Sequence, residues 1–160
     1  MRRILSVFLE NEAGALSRVV GLFAQRNYNI ESLAVAPTED TTLSRLTLPT
    51  RGDDSKIQQI IKQLNKLVEV VRVEDLCDGE YVERELLLIK VRAEGESRQE
   101  VTRTAGGFRG QMIDVTVDAY TIQLVGPSNK LEAFIRAIDD VSIIEVVRSG
   151  VSGISRGGQD

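Results

Sequence analysis

Apolar residues in this chain recur in two rhythms, and the rhythms follow the same order twice. Residues 4–9 form a β-branched and apolar run that predicts a buried strand. After the turn Asn11-Glu12-Ala13-Gly14, Leu16, Val19, Val20 and Phe23 fall at helical spacing and mark one apolar face. Residues 28–36 are strand-like, Pro37-Thr38-Glu39-Asp40 reads as a turn, and residues 43–48 predict another strand. Asp53, Asp54 and Ser55 supply N-cap candidates for a second helix, in which Ile57, Ile60, Ile61 and Leu64 keep i, i+3, i+4, i+7 spacing. Residues 69–76 close the set as a strand, giving the order β-α-β-β-α-β.

Cys77-Asp78-Gly79-Glu80 is a short polar break and the predicted linker. The order then repeats. Residues 85–93 form a strand, and a weaker helix runs through Val101, Ala105 and Phe108, ended or loosened by Gly106-Gly107. Ile113, Val115 and Val117 alternate with polar residues, as do Tyr120, Ile122 and Leu124 after an Asp118-Ala119 turn, so the pair reads as a hairpin. Asn129 and Glu132 stand at capping-box spacing before the helical face of Leu131, Phe134, Ile135 and Ile138. Residues 142–147 supply the last strand, and residues 152–160, rich in Gly, Ser and Gln, predict a flexible tail. The fold class is α+β, with two successive ferredoxin-like βαββαβ domains over residues 1–77 and 82–151. Such a unit lays two helices on one face of a four-stranded antiparallel sheet. Its edge strands stay open unless another copy pairs with them, which predicts an oligomer.

Composition narrows the function. The 160 residues suffice for two small domains, each marginal alone and helped by dimerisation. A net charge of −4 with four Phe, three Tyr and no Trp argues against a nucleic-acid partner, which needs cationic and stacking surfaces. The single Cys77 excludes an internal disulfide and suits a reducing compartment. The chain has no His, so it lacks the commonest metal ligand, general base and thiol activator. The first apolar run breaks at Glu10, too short for a signal segment or membrane span. The expectation is a cytoplasmic, soluble protein without a membrane partner.

One cluster resembles a place to hold a small zwitterion. Asn11 and Gly14 precede a helix whose N-terminus offers unpaired N–H donors and partial positive charge for a carboxylate. An Asn side chain can accept from an ammonium while donating elsewhere, and Gly14 leaves room at the backbone. Asn29 opens the next strand, on the sheet edge a partner could approach. Ala13, Leu16 and Ile30 would suit a small aliphatic side chain, as in a branched-chain amino acid. A plainer reading stays open beside this one: Asn11 or Glu12 only caps the helix, and Gly14 only relieves a turn. Elsewhere, Arg84, Lys90, Arg92, Arg98, Arg103 and Arg109 give the second half a basic cast, read as solvated charge or as a docking face for an acidic partner.

Several long blocks carry a family resemblance. Met1-Arg2-Arg3-Ile4-Leu5-Ser6-Val7 and Asn11-Glu12-Ala13-Gly14-Ala15-Leu16-Ser17-Arg18-Val19 resemble the small regulatory subunits of acetohydroxyacid synthase (acetolactate synthase). Tyr28-Asn29-Ile30-Glu31-Ser32-Leu33, Leu43-Ser44-Arg45-Leu46-Thr47, Val82-Glu83-Arg84-Glu85, the run from Phe108 through Val115, and Arg148-Ser149-Gly150-Val151 are similar to later blocks of that family. The family usually has Gly where this chain has Asn27, a residue that also tolerates left-handed geometry.

The resemblance implies an N-terminal ACT domain that senses valine and a C-terminal ferredoxin-like domain. It implies a homodimer through paired ACT domains, with Asn11 and Gly14 of one copy facing Asn29 and Ile30 of the other. Ala13, Ala15 and Leu16 would lie beside the ligand, and Ser17 just behind it. It further implies a non-catalytic role: activating a large catalytic subunit and conferring feedback inhibition in branched-chain amino-acid synthesis. Thiamine diphosphate, FAD and Mg²⁺ would belong to that subunit, with no cofactor in this chain. The rival readings are a free-standing ACT sensor regulating another enzyme or transcription, and a small ferredoxin-like hydrolase. The missing DNA-binding helix pair counts against the transcription version. The lack of His and of an Arg–Asn phosphate cradle counts against the hydrolase.

Overall fold

The computed structural model describes residues 1–138 and 141–158. The chain divides into two compact units, one of Met1–Val82 together with Val151 onward, the other of Glu83–Gly150. In sequence, the second unit is thus an insertion into the first.

In the first unit the elements run β1 (Arg2–Glu10), α1 (Ala15–Gln25), β2 (Ala34–Pro37), β3 (Leu43–Arg51), α2 (Asp54–Asn65) and β4 (Val70–Asp75). The sheet order is β2-β3-β1-β4, all antiparallel. This is the ferredoxin-like arrangement expected, with β2 on one edge. Leu5, Val7 and Leu9 of β1 alternate inward with Leu46 and Leu48 of β3, and meet Val19 and Phe23 of α1 and Ile60 and Leu64 of α2. Val20 of α1 does not join this core and stays 38% exposed.

β5 (Tyr81–Arg92) starts in the first unit and continues into the second, followed by α3 (Ser97–Gly107), β6 (Gln111–Val115), β7 (Ala119–Gly126), α4 (Ser128–Ala137) and β8 (Ile143–Arg148). The strand order β6-β7-β5-β8 repeats the first topology. Leu87, Ile89, Val91, Ile122 and Leu124 pack against Val101 and Ala105 of α3 and Leu131 and Phe134 of α4. Phe108 meets Phe134 edge to face, ring centroids 5.3 Å apart.

Three expectations are corrected. Residues 28–33 are not strand; β2 begins only at Ala34. Tyr28, Ile30 and Leu33 all pack on the core, so the strict alternation that a strand requires is absent. The Asn129–Glu132 capping box is not formed: α4 begins at Ser128 behind Pro127, with no side-chain cap. The predicted flexible tail contains a strand, β9 (Ser152–Ser155), which pairs with β5; residues 159–160 of that tail lie outside the described residues.

The glycine and serine content of that segment suggests mobility, but it serves close packing. Val151 is buried with Ile4 and Leu76, and Arg156 N–H donates to the Glu80 carbonyl at 2.8 Å. A Cβ at Gly153 would meet Leu76 Cδ1 at 2.8 Å, so any larger residue there would have to displace that leucine methyl.

Candidate functional site

The two long helices of the first unit start differently. At α2, Asp53 accepts from Lys56 N–H at 2.8 Å, and Asp54 adds negative charge to the first turn. At α1 the N-cap is Gly14, no side chain caps the helix, and the first turn carries no acidic residue. Its positive end is therefore not hydrogen-bonded by a side chain, and no carboxylate sits in its first turn. Gly14 has φ +92, a conformation that favours glycine, and the space where a Cβ would stand is open.

Neither Asn11 nor Glu12 caps α1 with its side chain, contrary to the plainer expectation. Asn11 instead ties its turn to another. Its Nδ2 donates to the Thr41 carbonyl at 2.9 Å, and its backbone N–H donates to the Thr42 carbonyl at 2.8 Å. Thr41 and Thr42 belong to the turn between β2 and β3, which Asp40 shapes by accepting from Thr42 N–H at 3.0 Å and Thr42 Oγ1 at 2.7 Å. Those bonds, the hydroxyl first, hold the exposed Asp40 carboxyl below its ordinary range. With the Asn11 side-chain NH₂ partly engaged, its Oδ1 has no hydrogen bond among the described residues and is open to a donor. The Asp40–Thr42 turn is a contributor that sequence reading missed; its Asp-x-Thr signature is legible only as a turn.

The remaining expected residues divide by position. Ala13 and Ser17 are exposed beside Gly14, Leu16 is half-buried, and Ala15 is buried, its N–H donating to the Glu12 carbonyl at 3.3 Å. Asn29 is exposed and Ile30 half-buried, both in the segment that follows α1. That segment leaves the helix through Asn27, at φ 57, with Tyr28 N–H donating to the Phe23 carbonyl at 2.9 Å, a Schellman-type end. Asn27 thus adopts the left-handed geometry expected of it. The chain consequently places Gly14 and Asn29 beyond opposite ends of α1, whose 11 residues span about 16 Å. One copy therefore does not bring the two predicted groups of site residues together.

Several of the basic residues of the second half are engaged by neighbours. Lys90 pairs with Glu145 at 3.6 Å, and Arg92 with Asp118 at 3.5 Å. Arg98 donates to the Thr116 carbonyl at 3.2 Å and lies over the Tyr120 ring. Among the described residues no group of three or more Cys, Asp or Glu is placed to hold a metal ion, and no helix is long and apolar enough to cross a membrane.

Comparison with known proteins accounts for the whole chain. Residues 5–72 match the family profile described as AHAS small subunit-like ACT domain, and residues 84–157 that described as small subunit of acetolactate synthase. The chain is 62% identical over 158 residues to the acetolactate synthase isozyme 3 small subunit of Escherichia coli, covering 98% of this chain and 97% of that one. It is 58% identical over 158 residues to the acetolactate synthase small subunit of Haemophilus influenzae, with the same coverage. The crystal structure of the Thermotoga maritima acetolactate synthase small subunit superposes with a TM-score of 0.88 at 38% identity, covering 99% of each chain. With its ACT domain and its likeness along both halves, this chain belongs to the acetolactate synthase small-subunit family, as a regulatory partner of a catalytic subunit.

Proposed function

We propose that the chain is a homodimer through its ACT domains, binds valine between the two copies, activates the large catalytic subunit and transmits feedback inhibition to it. The observation that carries this reading is the bare N-terminus of α1, in a chain that caps α2 in the ordinary way. In the proposed complex the valine carboxylate meets the α1 N–H groups at Gly14, and its ammonium donates to Asn11 Oδ1. Asn29 and Ile30 of the second copy complete the pocket, with Leu16 against the aliphatic side chain. The separation of the half-sites along α1 supports a shared site, because a single chain leaves each incomplete. Thiamine diphosphate, FAD and Mg²⁺ belong to the large subunit in this reading.

A ligand held by two copies favours the one relative orientation in which all its contacts exist, so binding and dimer geometry form one equilibrium. A preference of about 1–3 kcal/mol suffices to alter coupling to the catalytic subunit by several-fold or more. Titration calorimetry of the purified chain is expected to give saturable heat with valine and none with glycine. Large-subunit activity is expected to rise on adding the chain and to fall again with valine. Heat with valine no different from glycine would count against the pocket. An unchanged activity would count against the regulatory coupling.

The Asp40 turn provides a second check. Asp40→Ala removes both bonds to Thr42 and with them the carbonyl geometry that orients Asn11, so valine affinity is expected to fall several-fold at neutral pH. In the unmodified chain the contribution has a definite sign. Because the folded-state pKa of Asp40 is depressed, its support is fully present above the ordinary carboxylate range and is lost as pH falls through that lowered value. An Asp40→Ala chain that binds valine with native affinity would show that the turn does not position Asn11.

A further inference from the structure

The face of the first sheet turned away from its helices carries a cation with no ion-pair partner among the described residues. Phe8 of β1 stands opposite Arg45 of β3 on one side and Arg72 of β4 on the other, so the three side chains form a ladder across three strands. The Arg72 guanidinium carbon lies 4.1 Å from the Phe8 ring centroid and that of Arg45 lies 5.2 Å from it. The two cations differ in their remaining bonds. Arg72 is well exposed and pairs with Glu74 at 3.4 Å. Arg45 is half-buried, its Nε is shut off from water without a hydrogen-bond partner, and among the described residues it forms no ion pair.

The inner nitrogen of that guanidinium has lost water without gaining a hydrogen bond, and the Phe8 ring is the cation's only recorded contact among the described residues. The usual remedy is a carboxylate, whose two oxygens match the guanidinium fork. Arg45 also lines a surface groove of about 540 Å³ together with Phe8, Arg72, Ala36, Pro37 and Ile154. Glu39 borders the same groove but is exposed and more than 4 Å from Arg45, so it does not neutralise it. The groove therefore combines apolar residues with a cation that has no carboxylate partner among the described residues.

We propose that this groove is a docking surface for the large catalytic subunit, which inserts an acidic side chain onto Arg45 and an adjoining apolar residue between Ala36, Pro37 and Ile154. The assignment rests on the reading that this chain binds that subunit. It differs from the valine half-sites, which lie in the loops at the two ends of α1.

The test measures binding of purified large subunit to the full chain by calorimetry at low and moderate salt, for the unmodified chain, Arg45→Gln, Arg45→Lys and the exposed-charge control Arg136→Gln. Arg45→Gln is expected to weaken binding at least about tenfold and to flatten its salt dependence. Arg45→Lys, which keeps the charge and loses the fork, is expected to fall between. Arg136→Gln is expected to bind as the unmodified chain does. The melting temperature of Arg45→Gln is expected to hold or rise, since an unpaired cation has been removed, and its valine titration is expected to be unchanged. A merely structural Arg45 would lower the melting temperature instead. Native binding by Arg45→Gln, or equal weakening by Arg136→Gln, overturns the docking surface alone. A changed self-association of Arg45→Gln with unaltered large-subunit binding makes the groove a contact between copies and likewise overturns it. An unmodified chain that fails to bind the large subunit overturns both this assignment and the regulatory reading.

Discussion

Gly14→Asp is expected to abolish valine binding while leaving the chain folded. The two halves of that expectation have one cause. At φ +92 an aspartate is strained, but Asp is among the few side chains that visit left-handed geometry, and nothing lies within 4 Å of its Cβ position. Asp is also a preferred N-cap, so its carboxylate can accept from the uncapped first-turn N–H groups and offset the positive helix end. Strain and capping are each about 1 kcal/mol and opposite in sign, so the melting temperature should move little. The ligand, however, loses everything the helix offered. The new carboxylate occupies the donors that valine's own carboxylate needs and repels it.

Gly14→Asn separates occupation of the donors from repulsion. It caps the same N–H groups without a charge and should weaken valine binding without eliminating it. Calorimetry on both variants, with melting curves, reads the difference. Native valine affinity in Gly14→Asp would make Gly14 a turn residue and nothing more. Large-subunit activation by that variant is expected to persist without valine sensitivity.

Much of this candidate site is legible in the sequence, because its parts are local. A glycine placed between a strand and an amphipathic helix announces a positive φ, and the absence of an acidic residue after it in the first helical turn announces a bare helix end. The partner of Asn11 is not legible: the Thr41 carbonyl is 30 residues away and is brought near only by the register of β1 on β3, where Glu10 faces Leu43. The Arg45–Phe8–Arg72 ladder is hidden for the same reason, since three strands must be in register before three separated residues become neighbours.

The fold divides along the same line. Helical spacing locates α1, α2 and α4 because an amphipathic face repeats within a few residues. β9 gives no such signal. Its Ser-Gly-Ile-Ser sequence has no periodic apolar face of its own, and its order comes from Ile4, Leu76 and Thr47, all distant in sequence. Residues 28–33 mislead in the opposite direction, being apolar enough for a strand while sending Tyr28, Ile30 and Leu33 to the same side.

The largest stability effect is expected at the other end of the chain, in Arg148→Met. Glu85 lies on the inward-facing row of β5 and is only 4% exposed, a costly place for a carboxylate. Arg148 of β8 answers it: Nε donates to Glu85 Oε1 at 2.9 Å, and Nη2 donates to the same oxygen. The strands are fastened beside this pair, because Leu86 N–H donates to Ser149 Oγ and Ser149 N–H to the Leu86 carbonyl, both at 3.0 Å. Methionine keeps the apolar stem of Arg148 and removes only the guanidinium, leaving Glu85 buried and unpaired at a cost of about 3–5 kcal/mol. Glu85→Gln is expected to cost less, since Arg148 is 33% exposed and can turn its charge to water. The double variant Glu85→Leu/Arg148→Met removes both charges and should recover most of the loss, because a buried pair adds little over well-packed apolar residues. Urea unfolding, with amide exchange in β5 and β8 to localise the change, measures all three. If Arg148→Met unfolds within about 1 kcal/mol of the unmodified chain, the carboxylate has found another partner or water, and the strand ladder alone holds β8 in place.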